Sequence, residues 1–272
     1  MSNLQIAKEV FKLVKREYLT PHFIRLTLEG KNVKPYEICT IGANNKLFIP
    51  PQNVDKVHFP TLDPETNSFV HAEEQIRPFV RTYTHRGIDL EKNQMIIDFV
   101  NHGENGPASS WAINAEKGDE IGVAMKLIKS ELYPEADWYF LIGDATAIPV
   151  ISAILESLPK QASGIAILET PTKEDEQILE KPDNFNVIWL HNPHPENGSE
   201  LAQQAKMISI PNTCTKFGYV AAEFSTVKEL RSYFRKELEW TKEELYAFSY
   251  WKSGVAEDKS VTDRHHEKDS VE

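Results

Sequence analysis

The sequence predicts two domains, an N-terminal antiparallel β-barrel and a C-terminal α/β domain with a parallel sheet. The chain has 272 residues, of which 40% are hydrophobic, so it can build two separate cores. Up to about residue 128 it consists of short strand-like runs separated by turns. Beyond that point, short apolar runs alternate with helical patterns. We therefore predict a barrel domain over residues 1–128 and an α/β domain over residues 129–256.

The first half contains five runs with strand character. In "HFIRLTLEG", Ile24, Leu26 and Leu28 alternate with more polar residues, which is the period of two expected of a half-buried strand. The other runs are "NKLFIPP", "FVRTYTHR", "MIIDFVNH" and "DEIGVAM", each bounded by Gly, Pro, Asn or Asp. Short strands joined by turns in this way predict a small antiparallel barrel.

The second half contains four apolar runs without alternation, typical of parallel strands covered on both faces. They are Trp138 to Ile142, Gly164 to Leu168, Asn186 to Leu190 and Phe217 to Ala221. One helical face follows the first run, and another is opened by Thr226 with Glu229 three residues later, a capping-box pattern. Strand, helix and strand in this order predict a right-handed crossover and a nucleotide-binding type of sheet.

Composition excludes several classes of function. The net charge of −11 and the lack of a dense basic run argue against non-specific nucleic-acid binding. No apolar run reaches about 18 residues and the N-terminus lacks the features of a signal peptide, so we expect a cytoplasmic protein that does not enter a membrane. Cys39 and Cys214 form no CxxC or Cys/His cluster, and we predict no metal site. We expect a monomer.

The last segment, residues 257–272, is polar and nearly free of large apolar residues. Burial of so few apolar groups does not offset the entropy cost of ordering the chain. We therefore expect a disordered tail.

"FLIGDATAIPVISAILE" begins as a buried strand, turns at Gly143 and Asp144, and enters a helix. A helix N-terminus after the first strand of such a sheet has free N–H groups where a pyrophosphate can bind. Thr146 can add a hydroxyl, and Pro149 fits the first helical turn. The segment has neither GxGxxG nor a Walker pattern, so an ordinary strand-to-helix turn remains the alternative.

"VNHGENGPASSWA" offers a second place for an anion. Gly103 and Gly106 permit a tight backbone path, and Pro107 can open a helix. We expect Ala108 and Ser109 to present backbone N–H groups and a hydroxyl outward. The alternative is a hairpin loop and a helical turn that caps the barrel, with its tryptophan in the core.

"RTYTHR" combines a cation, an aromatic ring and hydroxyls on one predicted strand. Arg81 and Tyr83 share one face, and Thr82 and Thr84 share the other, so the segment can line a flat ligand. An isoalloxazine ring requires an apolar surface, a hydrogen-bond donor near its reactive edge and a cation for its phosphates. A barrel strand with a surface salt bridge is the alternative.

These three segments, with "YWKSG" near the end of the chain, resemble the siderophore-interacting proteins, the flavin-dependent ferric-siderophore reductases of the ferredoxin-reductase-like superfamily. The resemblance runs from about residue 8 to about residue 256, with the motifs in the family's order and spacing. It implies a Greek-key FAD-binding barrel followed by an NAD(P)H-binding α/β domain.

The resemblance also implies roles for particular residues. Arg81 would contact the FAD phosphates, Tyr83 would pack on the flavin and Thr84 would lie near its N5. The other implied FAD contacts are Thr82, Asp98, Val100, His102, Gly103, Gly106, Pro107, Ala108 and Ser109. The implied contacts to the nicotinamide nucleotide are Gly143, Asp144, Thr146, Ala147 and Pro149. No catalytic side chain is implied, because the cofactor carries the redox chemistry.

An anionic ferric siderophore would be received by basic residues, for which the candidates are Lys46, Lys126, Lys129 and Lys252. "YWKSG" stands where the family usually has "YWRRG", and Lys252 lacks the planar fork of arginine. "WLHNPH" lacks the arginine often found after that strand in the family. NADH is therefore at least as plausible a donor as NADPH.

Three functions are compatible with these features. In the first, NAD(P)H reduces FAD, which reduces siderophore-bound Fe(III) to Fe(II). The second is a general NAD(P)H:flavin or ferredoxin-type reductase, in which a ferredoxin could also replace the nicotinamide as donor. The third is a non-enzymatic siderophore-binding protein that handles iron.

Overall fold

The computed structural model describes residues 5–269, except for the side chains of residues 258, 261, 265 and 267–269. The chain divides into two compact units between Ser130 and Glu131, within the charged link that follows the barrel. None of the helices in the described part of the chain is long and apolar enough to span a membrane.

The first unit is built on a seven-stranded antiparallel sheet that forms a half-barrel, with the strand order β6-β3-β9-β1-β2-β8-β7. Its elements are β1 (Ile6–Thr20), β2 (Phe23–Glu29), β3 (Asn44–Ile49), β4 (Thr61–Leu62), β5 (Phe69–Val70), β6 (Phe79–Thr84), β7 (Gly87–Asp89), β8 (Gln94–Val100), α1 (Pro107–Asn114) and β9 (Glu120–Lys126). The strands β4 and β5 pair separately as a small hairpin. The predicted antiparallel barrel is confirmed.

Alternation along the strands sets the core of this unit. Ile24, Leu26 and Leu28 of β2 are fully buried, whereas the residues between them are partly exposed. Strand β1, which was not predicted, pairs with both β2 and β9 and thereby joins the two halves of the sheet. Its long run of mixed polar and apolar residues has no turn signal inside it.

The second unit contains a five-stranded parallel sheet with the strand order β12-β11-β10-β13-β14. Its elements are β10 (Trp138–Gly143), α2 (Ile148–Ser157), β11 (Ser163–Thr170), β12 (Phe185–His191), α3 (Leu201–Lys206), β13 (Lys216–Glu223), α4 (Phe224–Ser232), β14 (Leu245–Trp251) and α5 (Glu257–Asp269). The four predicted strands are present, and β14, which was not predicted, adds a fifth in parallel to β13. The predicted α/β fold with a parallel sheet is confirmed.

The predicted capping box at Thr226 is wrong. Helix α4 begins earlier, at Phe224, because the Glu223 carboxylate accepts a hydrogen bond of 2.5 Å from the Ser225 N–H. Thr226 is consequently inside the helix and buried. The helix continues into a π-helical turn at Tyr233–Glu237.

The structure also corrects the expectation of a disordered tail, since the chain is helical over Glu257–Asp269. The Arg264 guanidinium explains how so polar a segment is held. It is 5% exposed and donates to the carbonyls of Ser249 (3.3 Å) and Tyr250 (2.7 Å) on β14. Residues 270–272 lie outside the described residues.

Candidate functional site

The "RTYT" segment lies on β6, an edge strand that pairs with β3 on one side. Tyr83 is partly buried, and its ring packs against Phe99 of β8 with 4.4 Å between centroids. Arg81 is partly exposed and donates to the Val80 carbonyl (2.8 Å), while Thr84 is buried. Because an edge strand keeps backbone groups on its outer side, a flat ligand laid along β6 would meet backbone as well as the side chains of both faces.

Two buried polar side chains beside β6 have no hydrogen-bond partner among the described residues. Asn45 lies directly across from Tyr83 in the β3–β6 pairing, and neither its Oδ1 nor its Nδ2 is bonded. His85, which follows β6, is fully buried, and neither ring nitrogen is bonded. Buried amides and imidazoles normally have partners, so this segment has unused polar capacity of the kind that a ligand satisfies. Neither residue was predicted from the sequence to be part of the site.

Asp98 of β8 is held by arginine. Its carboxylate accepts two hydrogen bonds of 2.7 Å from Arg25 Nε and Nη2, and Arg86 Nε lies 3.7 Å from Oδ2. The side chain therefore ties β2 to β8, and any contribution of Asp98 to a cofactor would act through these arginines or through the backbone. Val100 ends the same strand and is partly exposed. Arg25 and Arg86 are cations of this region that the sequence analysis missed.

The glycine-rich loop leads into the N-terminus of α1. Gly103 has a positive φ of 83°, which favours glycine, and space is open where a side chain would begin. Gly106 is the N-cap residue, and a Cβ there would lie 2.6 Å from a ring carbon of His102. Pro107 occupies the first turn, and no side chain from the described residues caps the helix.

Ser109 corrects one expectation about this loop. It was predicted to present its hydroxyl outward, but it is fully buried, and its Oγ accepts from the His102 N–H (3.2 Å). Ala108 is buried as well. The first-turn N–H groups, which have no intrahelical acceptor, are thus the groups that α1 offers an anion. Pro107 has no N–H and the Ser110 N–H donates to the Gly106 carbonyl, so these groups belong to Ala108 and Ser109. The partial positive charge of the helix N-terminus favours an anion such as a diphosphate.

In the second unit, the "GDATAIP" segment joins β10 to α2 through a 3₁₀ turn at Ala145–Ala147. A Cβ on Gly143 would lie 2.6 Å from that of Ala147, so glycine permits the close strand-to-helix packing. Pro149 is buried in the first turn of α2. These three residues shape the turn through packing.

Asp144 occupies the place that the sequence analysis assigned to a pyrophosphate. Its Oδ1 accepts from the Thr146 N–H (2.9 Å) and hydroxyl (2.6 Å), and its Oδ2 accepts from Trp251 Nε1 (2.7 Å). Burial raises the pKa of Asp144, and the hydrogen bonds from Thr146 and Trp251 oppose the rise. The Thr146 hydroxyl is therefore already engaged, and the turn is capped by a carboxylate.

The "YWKSG" segment is held to other parts of the second unit by several contacts. Trp251 donates to Asp144, and the Ser253 N–H donates to Glu223 Oε1 (3.2 Å). Lys252 Nζ lies 2.5 Å from Asp263 of α5 and 4.7 Å from the centre of the Phe224 ring. Lys252, predicted to meet an anionic substrate, is thus paired with a carboxylate.

The structure brings two of the predicted substrate lysines together in the first unit. Lys46 of β3 donates to the Thr82 hydroxyl (2.5 Å) and pairs across the sheet with Ala124 of β9. Lys126 lies two residues further along β9 and so is a diagonal neighbour of Lys46 on the same face, roughly 7–8 Å away by sheet geometry. Lys129 is exposed in the link beyond β9. Among the side chains that the structure describes, no group of three or more His, Cys, Asp or Glu is placed to hold a metal ion.

Comparison with known proteins agrees with this geometry. The model of the siderophore-interacting FAD-binding domain matches residues 12–125, and that of the siderophore-interacting protein matches residues 136–254. The structure of phthalate dioxygenase reductase has the same fold (TM-score 0.57, 15% identity, 90% of this chain and 68% of that chain). The protein is thus a FAD-binding protein of ferredoxin-reductase-like fold. Within that class, the chain belongs to the siderophore-interacting protein family.

Two relatives are similar along nearly their whole length. The ferric vibriobactin reductase ViuB of Vibrio cholerae serotype O1 is 29% identical over 262 residues, covering 96% of this chain and 95% of its own. A siderophore utilization protein from T. fusca has a TM-score of 0.81 at 26% identity, covering 93% of this chain and 96% of that one. FAD is the cofactor of the first unit, as predicted, and the reductase fold agrees with a nicotinamide donor.

Replacement of His85 by leucine tests whether this buried imidazole stays neutral. Burial lowers the pKa of His85 from 6.5 to about 4. Below pH 6.5 the unfolded chain therefore binds a proton that the folded chain excludes, so the histidine makes stability fall as the pH drops toward 4. We expect the unfolding free energy to fall less between pH 6.5 and pH 4 in His85→Leu than in the wild-type protein. The difference between the two falls should be up to roughly 3 kcal/mol.

Urea unfolding across this pH range is the measurement, and His71→Asn, which changes an exposed histidine, is the control. Parallel curves for wild type and His85→Leu would show that His85 is not held neutral in the folded protein.

Proposed function

We propose that this protein is a ferric-siderophore reductase that takes electrons from NAD(P)H. The observation that carries the proposal is the membership of both units in one family, together with an uncapped helix N-terminus and an aromatic edge strand in the unit that binds FAD. The related ViuB is a ferric vibriobactin reductase, and the T. fusca relative serves siderophore utilization. We extend that chemistry to this chain.

The residues of the first unit would hold and orient the cofactor. The first-turn N–H groups of α1 would bind the diphosphate, with Arg81 as a further donor. Tyr83, fixed by its packing on Phe99, would offer a rigid surface to the ring, and Thr84 would lie beside its reactive edge. Bound FAD supplies the step from a two-electron hydride donor to two one-electron reductions of Fe(III). No side chain needs to act as acid or base.

The substrate is an anionic iron chelate. Lys46 and Lys126 present positive charge on one face of the sheet in a chain whose net charge is −11, so they would attract an anion locally. Reduction favours release, because Fe(II) carries less charge than Fe(III) and hard oxygen ligands hold it more weakly. At Lys252 an anion would compete with the Asp263 carboxylate.

The decisive experiment follows the two half-reactions in sequence under anaerobic conditions. The purified yellow protein is titrated with NADH, and ferric siderophores of several chelator classes are then added while Fe(II) is trapped by a chromogenic chelator. We expect rapid Fe(II) formation with the family's substrates. Reoxidation by free flavin or ferredoxin, without Fe(II) from any siderophore, would favour a general reductase. Colourless protein that releases no flavin on denaturation would favour the non-enzymatic alternative.

Arg81→Ala tests the assignment of the FAD site. Loss of a charge-assisted contact to phosphate should weaken FAD binding by about 1.5–3 kcal/mol. The measurement is titration of the apoprotein with FAD by calorimetry. Arg77→Ala is the matched control, since Arg77 is exposed and its guanidinium donates to the Ala72 carbonyl instead. Equal FAD affinity in Arg81→Ala and wild type would contradict the assignment.

The preference between the two nicotinamide donors follows from the carboxyl edge of the parallel sheet. Asp144, Glu169 and Glu223 are all buried there, at the ends of β10, β11 and β13, the edge where such sheets bind nucleotides. Burial raises the pKa of Glu169, and hydrogen bonds from Ser199 and Asn192 oppose the rise. A 2′-phosphate would bring additional negative charge to this acidic edge.

We therefore expect NADH to reduce the flavin at a lower concentration than NADPH, as measured by parallel anaerobic titrations of flavin absorbance. Glu169→Gln should narrow the difference between the NADH and NADPH concentrations required, because it replaces one carboxylate by a neutral amide. A preference for NADPH in the wild-type protein would contradict this expectation.

Lys46→Ala tests recognition of the anionic chelate. Removal of this partly solvated charge should lower kcat/KM for a ferric siderophore about 2- to 5-fold, with flavin reduction by NADH unchanged. Lys117→Ala, which removes an exposed charge from the loop before β9, is the matched control. Unchanged kcat/KM in Lys46→Ala for every ferric chelate tested would contradict a role in substrate binding.

A further inference from the structure

Helix α1 has eight residues, and small side chains form its buried face. A helix of about two turns is not stable on its own in water, so tertiary contacts must hold it. Ala108, Ser109 and Ala112 are buried, while Trp111 and Ile113 are partly buried and pack against the core of the barrel. Small side chains interlock less with their neighbours than large ones do, so they limit sliding along the helix axis less. The axial position of α1 therefore depends strongly on contacts at its ends.

Arg16 of β1 holds the C-terminal end of α1. Its Nη1 donates to the carbonyls of Ile113 (2.5 Å), Ala115 (3.1 Å) and Ala112 (3.3 Å). Carbonyls in the last turn of a helix have no N–H donor one turn further along. The Glu116 N–H, which a longer helix would direct at Ala112, donates instead to the Asp119 carboxylate (2.8 Å). The guanidinium thus supplies donors to these acceptors and complements the partial negative charge of the helix C-terminus.

The backbone of the same strand holds the loop that follows α1. The Leu13 N–H donates to the Asp119 carbonyl (2.9 Å), and the Gly118 N–H donates to the Leu13 carbonyl (2.8 Å). These bonds do not involve the Arg16 side chain, which is exposed. We therefore expect a protein with a substitution at Arg16 to fold, with the loop still attached to β1 and the end of α1 less firmly fixed.

Arg16 lies at the opposite end of α1 from the N–H groups of Ala108 and Ser109. Eight helical residues span about 12 Å along the axis, so the guanidinium acts on an anion at the N-terminus through the helix and not by contact. A short helix without a kink moves as one body. A shift of its C-terminal end therefore also shifts the two N–H groups at its beginning.

We propose that Arg16 is a positioning residue for FAD. It fixes α1 along its axis and thereby sets the place of the Ala108 and Ser109 N–H groups relative to the diphosphate. It touches neither the cofactor nor the substrate. The inference rests on the role proposed above for the N-terminus of α1, and it does not depend on which acceptor the reduced flavin serves.

Arg16→Met tests the proposal, because methionine keeps an unbranched side chain but has neither the donors nor the charge. FAD affinity is measured from the fluorescence of flavin released when the holoprotein is diluted, and it should fall about 3- to 10-fold. The ³¹P NMR resonances of the bound diphosphate should shift, whereas the visible absorption spectrum of the bound flavin should match that of the wild-type protein. A general loss of structure would not separate the phosphates from the ring in this way.

Two further variants serve as controls. Arg16→Lys keeps a charged donor near the last turn of α1 and should recover part of the FAD affinity that Arg16→Met loses. Lys12→Met removes another exposed cation of β1, whose cross-strand neighbours are Glu29 of β2 and Glu120 of β9. This matched control should bind FAD like the wild-type protein and leave the ³¹P resonances in place.

The proposal is overturned if Arg16→Met leaves either the FAD affinity or the ³¹P resonances as they are in the wild-type protein. It is also overturned if the flavin spectrum changes together with the resonances, since Arg16 would then act on the unit as a whole. Arg81→Ala separates this result from the proposed function. If Arg81→Ala weakens FAD binding and Arg16→Met does not, the positioning role alone fails; if neither variant does, the assignment of the FAD site fails as well.

Discussion

The proposed function depends on backbone N–H groups that have no acceptor within their own helix, at the N-terminus of α1. Helix α1 begins without a side-chain cap from the described residues, so its first-turn N–H groups have to be satisfied by water or by a ligand. The preceding loop is shaped to keep that terminus open, since Gly103 takes a positive φ and Gly106 leaves room for His102. Loss of either glycine would alter the approach of an anion before any charged residue was changed.

In the second unit, by contrast, a side chain caps the corresponding turn. There the terminus after β10 is closed by the Asp144 carboxylate, which also accepts from Trp251 of β14. This buried carboxylate accepts from three donors and connects the turn to "YWKSG". The two segments are more than one hundred positions apart in the sequence. Under the proposed function, this carboxylate disfavours a phosphate at the turn and favours a neutral or cationic group, such as a nicotinamide ring. One unit therefore has a helix N-terminus without a side-chain cap, and the other has a turn capped by a carboxylate.

Much of the fold could be predicted from the sequence, because the spacing of apolar residues along a strand indicates which of its faces are buried. The alternation in β2 and the continuous apolar runs of β10 and β13 were sufficient to assign an antiparallel barrel and a parallel sheet. Side-chain direction could not be predicted so well. Ser109 was expected outside and lies inside, because its hydroxyl accepts from the loop that precedes it. Whether a serine on a helical turn faces solvent depends on tertiary contacts that local sequence does not encode.

The errors at the C-terminus have a related cause. Composition indicated that the tail could not bury enough apolar surface, yet α5 is held by polar contacts, in which Arg264 bonds two carbonyls of β14. Every residue has a backbone carbonyl, so the sequence does not show which carbonyls will accept hydrogen bonds from a distant arginine.

The C-terminal helix also changes how anion recognition is divided among the lysines. Asp263 neutralises Lys252 at 2.5 Å, and an incoming anion would have to compensate for the loss of that ion pair. Lys46 donates to the Thr82 hydroxyl, which is neutral. Under the proposed function, Lys252 therefore contributes less to the affinity for an anionic chelate than an unpaired lysine would. Lys252 gains importance only with chelates whose charge is sufficient to compete with Asp263.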